Sequence, residues 1–381
     1  MADPELGLVP DVERIAVLRA NALGDFLFAL PALEALRAAY PTAEVVLLGA
    51  PWHARWLAGR PSPVARVMVV PPAPGIRDIA PQETPPAPEE FFARARAERF
   101  DVALQLHGGG RHSNPLVSAL GARLTAGLRA SDAPPLDRWL RYDFYQPEVI
   151  RLLETVALVG ASPVTLTPRV EVTATDVAEA RRVIDAPRQP RAALHPGVTD
   201  PRRRWPPERF AAVADGLAAQ GFEVVVTGTE GERPLVERVV AAARAPIRSL
   251  VGALSLGGLA AVYAECAVVV ANDTGPLHLA GAVGTPTVGI FWAGNMITVA
   301  TPLRGRHRAL ASWTIHCPEC GEDCTRDLYP DRPGEGCAHR VSFVSDVPVS
   351  EVLAAVDDLT RAGGAGPRHL GAPAVAVGRS R

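Results

Sequence analysis

Short continuous apolar runs alternate along this chain with longer segments whose apolar residues recur every three to four positions, the pattern of a parallel sheet flanked by helices. In the first half the runs predict strands at Arg14–Arg19, Glu44–Gly49, Arg66–Val70 and Asp101–Leu106. Helical spacing predicts helices at Pro88–Arg99, Pro147–Val159 and Thr175–Ile184, and the proline-rich stretch Pro71–Pro88 reads as a loop. A second series predicts strands at Ala192–His195, Glu223–Thr227 and Ala267–Ala271 and helices at Pro207–Gln220, Glu232–Ala243 and Leu256–Ala264. Thr287–Phe291 closes that series, and Val349–Thr360 reads as a last helix.

Residues 185–191 hold two prolines and no apolar side chain larger than alanine, which breaks both periodicities and predicts a linker. The expected organisation is α/β: an N-terminal Rossmann-like domain over 1–184, the linker, a C-terminal Rossmann-like domain over 192–362, and a flexible tail over 363–381 rich in Gly, Ala, Pro and Arg. In such a pair the ligand is expected between the halves, above the carboxyl ends of the strands.

Composition narrows the partners. With 381 residues, 48% of them hydrophobic, the chain is long enough for two domains with separate cores. The net charge of −2 speaks against nucleic-acid binding through a broad basic field, so phosphate recognition has to be local. All 39 basic residues are arginine, so every cationic contact comes from a planar, permanently charged guanidinium. Residues 1–6 lack a secretory signal, and no apolar run reaches the length of a membrane span, so a soluble, cytoplasmic protein is expected.

Two turns have the chemistry of anion sites. Asp273, Thr274 and Gly275 stand between an apolar strand and a helix carrying His278, where unpaired amides and the helix dipole favour a diphosphate. Their commonest other use is helix capping. A comparable turn, containing Thr199 and Arg203, follows His195. In the first half the dinucleotide fingerprint G-x-G-x-x-G is missing, which weakens a reading as an NAD or FAD site. Gly24-Asp25 stands in its place before a very apolar helix, so Asp25 is either a helix cap or a general base facing the cleft.

Residues 24–33, the segment from His195 through Phe210, and residues 272–280 together resemble glycosyltransferase family nine, the ADP-heptose:lipopolysaccharide heptosyltransferases, from about Arg14 to about Val356. The resemblance implies a GT-B architecture of two facing Rossmann-like domains, acceptor bound mainly by the first and nucleotide-sugar by the second. It implies inverting transfer without a metal in the chemical step, Asp25 as catalytic base, and donor contacts from Thr199, Asp273, Thr274 and Gly275. Arg203 falls where the family carries a phosphate-binding lysine, Glu230 near the ribose and Leu254 near the base. His278 is kept as a supporting residue. The implied partners are a nucleotide-diphosphate sugar, ADP-heptose, and a saccharide or glycolipid acceptor such as lipopolysaccharide core, met at the inner face of the membrane. A nucleotide-sugar epimerase and a non-catalytic nucleotide-sugar-binding protein are the alternatives.

His195, Arg202 and Arg204 read as structural or surface residues, and residues 106–114 as a turn that could line the acceptor side. Within the Cys-rich segment 316–339, the spacing of Cys317, Cys320, Cys324 and Cys337 resembles a structural zinc knuckle, with His316 and His339 nearby. An iron–sulfur cluster and unligated thiols are the other readings, while Cys266 lies in a segment expected to be buried.

Overall fold

The computed structural model describes residues 7–79, 83–85, 87–301, 304–325 and 337–362. Parts of the Pro71–Pro88 loop and the whole 363–381 tail lie outside the described residues. The first half runs β1 (Arg14–Leu18), α1 (Leu23–Ala39), β2 (Glu44–Gly49), α2 (Pro51–Leu57), β3 (Arg66–Val69), α3 (Pro88–Ala97), β4 (Val102–Gln105), α4 (Ser113–Ser118), β5 (Leu124–Arg129), β6 (Arg138–Arg141), α5 (Glu148–Ala157) and α6 (Ala174–Val183). The second runs β7 (Arg191–His195), α7 (Pro207–Ala219), β8 (Glu223–Val226), α8 (Arg233–Ala242), β9 (Arg248–Ser249), α9 (Leu256–Ala264), β10 (Val268–Asn272), α10 (Gly275–Ala282), β11 (Thr287–Trp292), α11 (Ala293–Val299), β12 (His307–Ser312) and α12 (Val349–Ala362).

Two six-stranded sheets result, ordered β3-β2-β1-β4-β5-β6 and β12-β11-β10-β7-β8-β9, with every pairing parallel. Counted from its own first strand, each sheet has the order 3-2-1-4-5-6, so both are doubly wound and reverse direction beside their first strand. Helices covering both faces explain why β1 and β10 are continuous apolar runs: Ile15 through Leu18 and Val268 through Ala271 are wholly buried.

The sequence missed four strands. β6, β9 and β12 are edge strands, β6 and β12 half exposed and β9, only Arg248–Ser249, exposed throughout, and so none has a continuous apolar run. β12 extends the second sheet beyond Thr287–Trp292, so that strand does not close the series. β5 is buried but interrupted by Gly127, where a Cβ would lie 2.6 Å from the Cβ of Gln105 on neighbouring β4.

One helix changes sides. α6, expected within 1–184, packs on α9, and its Ala180 together with Ile184 joins a core containing Ala193, Val225 and Tyr263. The segment is thus bound to the second sheet before the 185–191 stretch is reached. Arg60, just beyond α2, ties it back to the first half through a two-pronged pair with Asp176 at 2.8 and 2.9 Å.

Candidate active site

The two points where strand order reverses are the crevices between β1 and β4 and between β7 and β10, and the turns leaving these strands carry the candidate residues. β1 runs into Arg19-Ala20-Asn21 and then α1; β10 runs into Asp273-Thr274 and then α10. The two helix starts meet. A Cβ on Gly275 would sit 3.0 Å from Leu23 Cβ and 3.3 Å from Gly24 N, and one on Gly24 would sit 3.4 Å from His278 Cδ2. Glycine at 275 lets the two halves approach closely, whereas a side chain at Gly24 would meet only ordinary contacts; both positive helix ends lie at one seam.

Asp25 is the third residue of α1. The N-cap is Ala22, so Asp25 is not itself the N-cap; from the third position its carboxylate reaches back to the Ala22 amide, which helps to hold the first turn and leaves the capping role standing beside the chemical one. Its carboxylate meets the Arg19 guanidinium at 3.2 Å. Arg19 is only 1% exposed and also donates to Asp25 O at 2.9 Å, Leu106 O at 2.5 Å and Glu148 Oε1 at 2.9 Å. Glu148, at the start of α5, is paired in turn with Arg151, which donates to the carbonyls of Asp143, Phe144 and Gln146. The result is an alternating acid–base chain, Asp25–Arg19–Glu148–Arg151, that pins the first helix turn of α1 to the ends of β4 and α5.

Water still reaches the Asp25 side chain, which is 41% exposed, although much protein surrounds it. That surrounding protein pushes its carboxyl above the usual carboxylate range; Arg19 opposes the shift, Glu148 adds to it, and the Ala22 amide and His278 oppose it. The arrangement suits a general base: a reachable carboxylate, fixed by one guanidinium, with raised proton affinity. Neither Arg19 nor Glu148 was expected. An arginine directly after the apolar run Ile15–Leu18 is a readable signal, but its partner Glu148 lies 129 residues away.

Across the seam, Asp273 is buried and bridges two groups: Arg203 Nη1 at 3.0 Å and His278 Nε2 at 3.2 Å. Arg203 is 24% exposed, so part of its side chain still reaches solvent. His278 also packs edge-on against Phe28 of the first half, ring centroids 4.6 Å apart. Asn272, wholly buried, accepts from Trp205 N and donates to Pro196 O, stitching the turn after β7 to the end of β10. Thr274 is the N-cap of α10 without a side-chain hydrogen bond, and Pro276 occupies the first turn, so the amides there without a helical acceptor are those of Thr274 and Gly275.

The remaining donor candidates spread along the rim. Thr199 is exposed on the turn after β7. Glu230 is exposed and held by Arg233 at 2.6 and 2.7 Å, while Leu254 is half-buried against the core under α9. Arg202 pairs with Asp200, and Arg204 donates to Val198 O, so both shape the turn. His195 is buried against Thr227 Oγ1 at 3.0 Å, and burial pushes its pKa down to about 4, as a structural, neutral histidine requires. His107 accepts from Ala20 N and faces Gly75 O, with its pKa likewise lowered by burial to about 4. A cavity of about 650 Å³ opens between the halves beside this seam, lined by Phe28, Glu148, His278, Phe291, Met296 and Arg304 among others.

The cysteine segment corrects one expectation. Cys317, Cys320, Cys337 and His339 place their ligand atoms within 4.8 Å of one another, and Cys324 is not among them. Its amide donates to Ile315 O, closing a small hairpin at the His316–Asp323 bridge, and its side chain is turned into the core. His339 takes the fourth place: two residues beyond Cys337, it brings its Nδ1 to 3.5 Å from the Cys337 sulfur. Cys266 is buried, and burial pushes its thiol up to about 12, so it is inert.

Residues 90–329 match the family described as glycosyltransferase family 9 (heptosyltransferase). Lipooligosaccharide heptosyltransferase 2 of Haemophilus influenzae is 32% identical over 95 residues, 24% of this chain and 28% of that protein. The matches to this and two further curated heptosyltransferases span 28 to 42% of those proteins' length. Among solved structures, the glycosyl transferase family 9 protein of Veillonella parvula superposes with a TM-score of 0.71 at 20% identity, covering 92% of this chain and 97% of its own. Escherichia coli ADP-heptose lps heptosyltransferase II gives 0.69 at 18% identity, covering 93% and 100%. These likenesses show a shared fold, two parallel doubly wound sheets in the GT-B arrangement.

Proposed function

Because this chain belongs to glycosyltransferase family 9, we propose that it transfers a sugar from a nucleotide-diphosphate donor to a saccharide acceptor, inverting the anomeric centre. The donor named for the E. coli relative is ADP-heptose, and the curated relatives act on lipopolysaccharide or lipooligosaccharide by name. In this reading the second sheet binds the donor and the first the acceptor, at the cytoplasmic face of the membrane if the acceptor is a glycolipid. No helix among the described residues is long and apolar enough to cross a membrane.

The observation that carries the proposal is the meeting of Asp25 with the Arg203–Asp273–His278 set at the Gly24–Gly275 seam. Breaking the anomeric bond develops negative charge on the leaving diphosphate. Arg203 and the Thr274 and Gly275 amides offer preorganised donors to that charge, with the α10 dipole behind them. Asp25 takes the proton of the attacking acceptor hydroxyl from the other half, a contribution of about 10² to 10⁴ in rate. No metal enters this step. Thr199 serves the phosphates; Glu230 serves the ribose by sharing or exchanging its contact with Arg233, and Leu254 the base.

Asp25→Asn is expected to reduce transfer by at least about 10²-fold while leaving nucleotide-diphosphate affinity unchanged, and Arg203→Ala to weaken that affinity. Near-normal transfer by Asp25→Asn would sink the base assignment. Donor turnover without acceptor would point to epimerisation instead.

A further inference from the structure

We propose that Cys317, Cys320, Cys337 and His339 hold one structural metal ion of the zinc class, and that this ion braces the turn carrying Arg203. Bond lengths of about 2.3 Å to sulfur and about 2.0 Å to imidazole nitrogen place the ligand atoms of a tetrahedral site about 3.8 Å apart for a sulfur pair and about 3.5 Å apart for sulfur and nitrogen. Cys320 Sγ lies 3.6 Å from Cys337 Sγ, and Cys337 Sγ lies 3.5 Å from His339 Nδ1. A disulfide would bring the sulfurs to about 2 Å, so the spacing is that of a coordination edge and not of a bond. Three thiolates and one imidazole in a closed set are a structural zinc complement.

The local backbone fits the same use. Cys317-Pro-Glu-Cys320 ends at Gly321, whose φ of +76° suits glycine and lets the chain turn back so that Gly321 N donates to Cys317 O at 2.8 Å. The ligands come from two segments without regular secondary structure, so a metal cross-link supplies cohesion that hydrogen bonding there does not.

From His339 the chain continues to the donor side. Phe343 N donates to Arg202 O at 2.7 Å, and Val347 O accepts from Trp205 Nε1 at 3.0 Å and Arg209 Nη1 at 2.6 Å. These bonds flank Arg203 on both sides. On the other arm, Thr314 O accepts from Trp292 Nε1 at the end of β11, at 2.7 Å. The metal therefore closes a clasp whose free ends hold the β7 turn and β11. That the brace affects donor binding rests on Arg203 holding the diphosphate, as proposed above.

The test uses the full-length protein purified without added metal. Elemental analysis should find one equivalent of zinc, lost in Cys320→Ser and in His339→Ala and kept in Cys324→Ala. Chelator-stripped wild type should bind ADP about tenfold more weakly by calorimetry, the equivalent of one charge-assisted contact, with affinity restored by zinc. Substoichiometric metal in wild type, equimolar iron in place of zinc, or metal retained by both ligand variants would overturn the site. Equal ADP affinity with and without zinc would overturn the brace. If loaded wild type binds no ADP while carrying zinc, the donor reading has failed and the metal site has not.

Discussion

Replacing Arg19 by methionine removes the one cation shared by Asp25 and Glu148 while nearly preserving side-chain length. The guanidinium is 1% exposed and makes four hydrogen bonds, two to carboxylates and two to main-chain carbonyls. Breaking a buried pair by deleting one partner costs about 3–5 kcal/mol. Glu148 keeps Arg151, and Asp25 is partly open to water, so the lower end, about 3 kcal/mol, is expected. For a unit of this size that lowers the midpoint of the N-terminal transition by roughly 6–12 °C.

The loss should also depend on pH. Asp25 has a folded pKa raised by burial, so ionising it costs stability; the cost is absent below its unfolded pKa of about 3.9 and complete above the folded one. Removing Arg19 raises that folded pKa further. The deficit of Arg19→Met relative to wild type is therefore smallest near pH 4 and grows toward neutrality. Scanning calorimetry at the two pH values measures both effects. A midpoint shift under about 2 °C at neutral pH, or an equal shift at both, would refute the claim that Arg19 compensates buried carboxylates.

Two further outcomes follow from the seam. Gly275→Ala places a methyl 3.0 Å from Leu23 Cβ and should destabilise by roughly 0–3 kcal/mol, overpacking of about 1–3 set against a helix-propensity gain of at most about 1. Gly24→Ala meets only ordinary contacts and should be neutral or slightly stabilising; chemical denaturation of both variants checks the contrast. In the pH profile of kcat/KM, activity should fall with decreasing pH through the Asp25 pKa, placing the acid limb above the ordinary aspartate value of about 3.9; a limb at or below that value contradicts the burial argument.

Much of this arrangement was readable from residue order. Strands buried on both faces, such as Glu44–Gly49, announce themselves as apolar runs, and α9 was bounded correctly because it lies between Ser255, its cap, and the turn at Glu265. The edge strands β6, β9 and β12 gave no such signal, although edge strand β3 did through its Val-Met-Val run. Strand β12 illustrates why: along His307–Ser312 the polar His307 and Arg308 come first and the apolar Ala309, Leu310 and Ala311 follow in one short block, with no period-two alternation. At the site, the turns were legible because Gly24, Asp25, Asp273 and Gly275 are local features. Their support was not, since Glu148 and Asn272 act through partners distant in sequence. The cysteine cluster split the same way: the Cys317–Cys320 spacing was local, whereas the choice of His339 over Cys324 depended on which way a hairpin turned its side chain.

The abutting glycines have a mechanical consequence. If one lobe tilts on the other with Gly24 and Gly275 as fulcrum, displacement grows with distance from that point. Asp25 and His278, beside the fulcrum, would travel little, while groups remote from it would sweep widely. On the proposed function, such a hinge would admit and release the nucleotide at the mouth while keeping Asp25 and His278 in near-constant alignment.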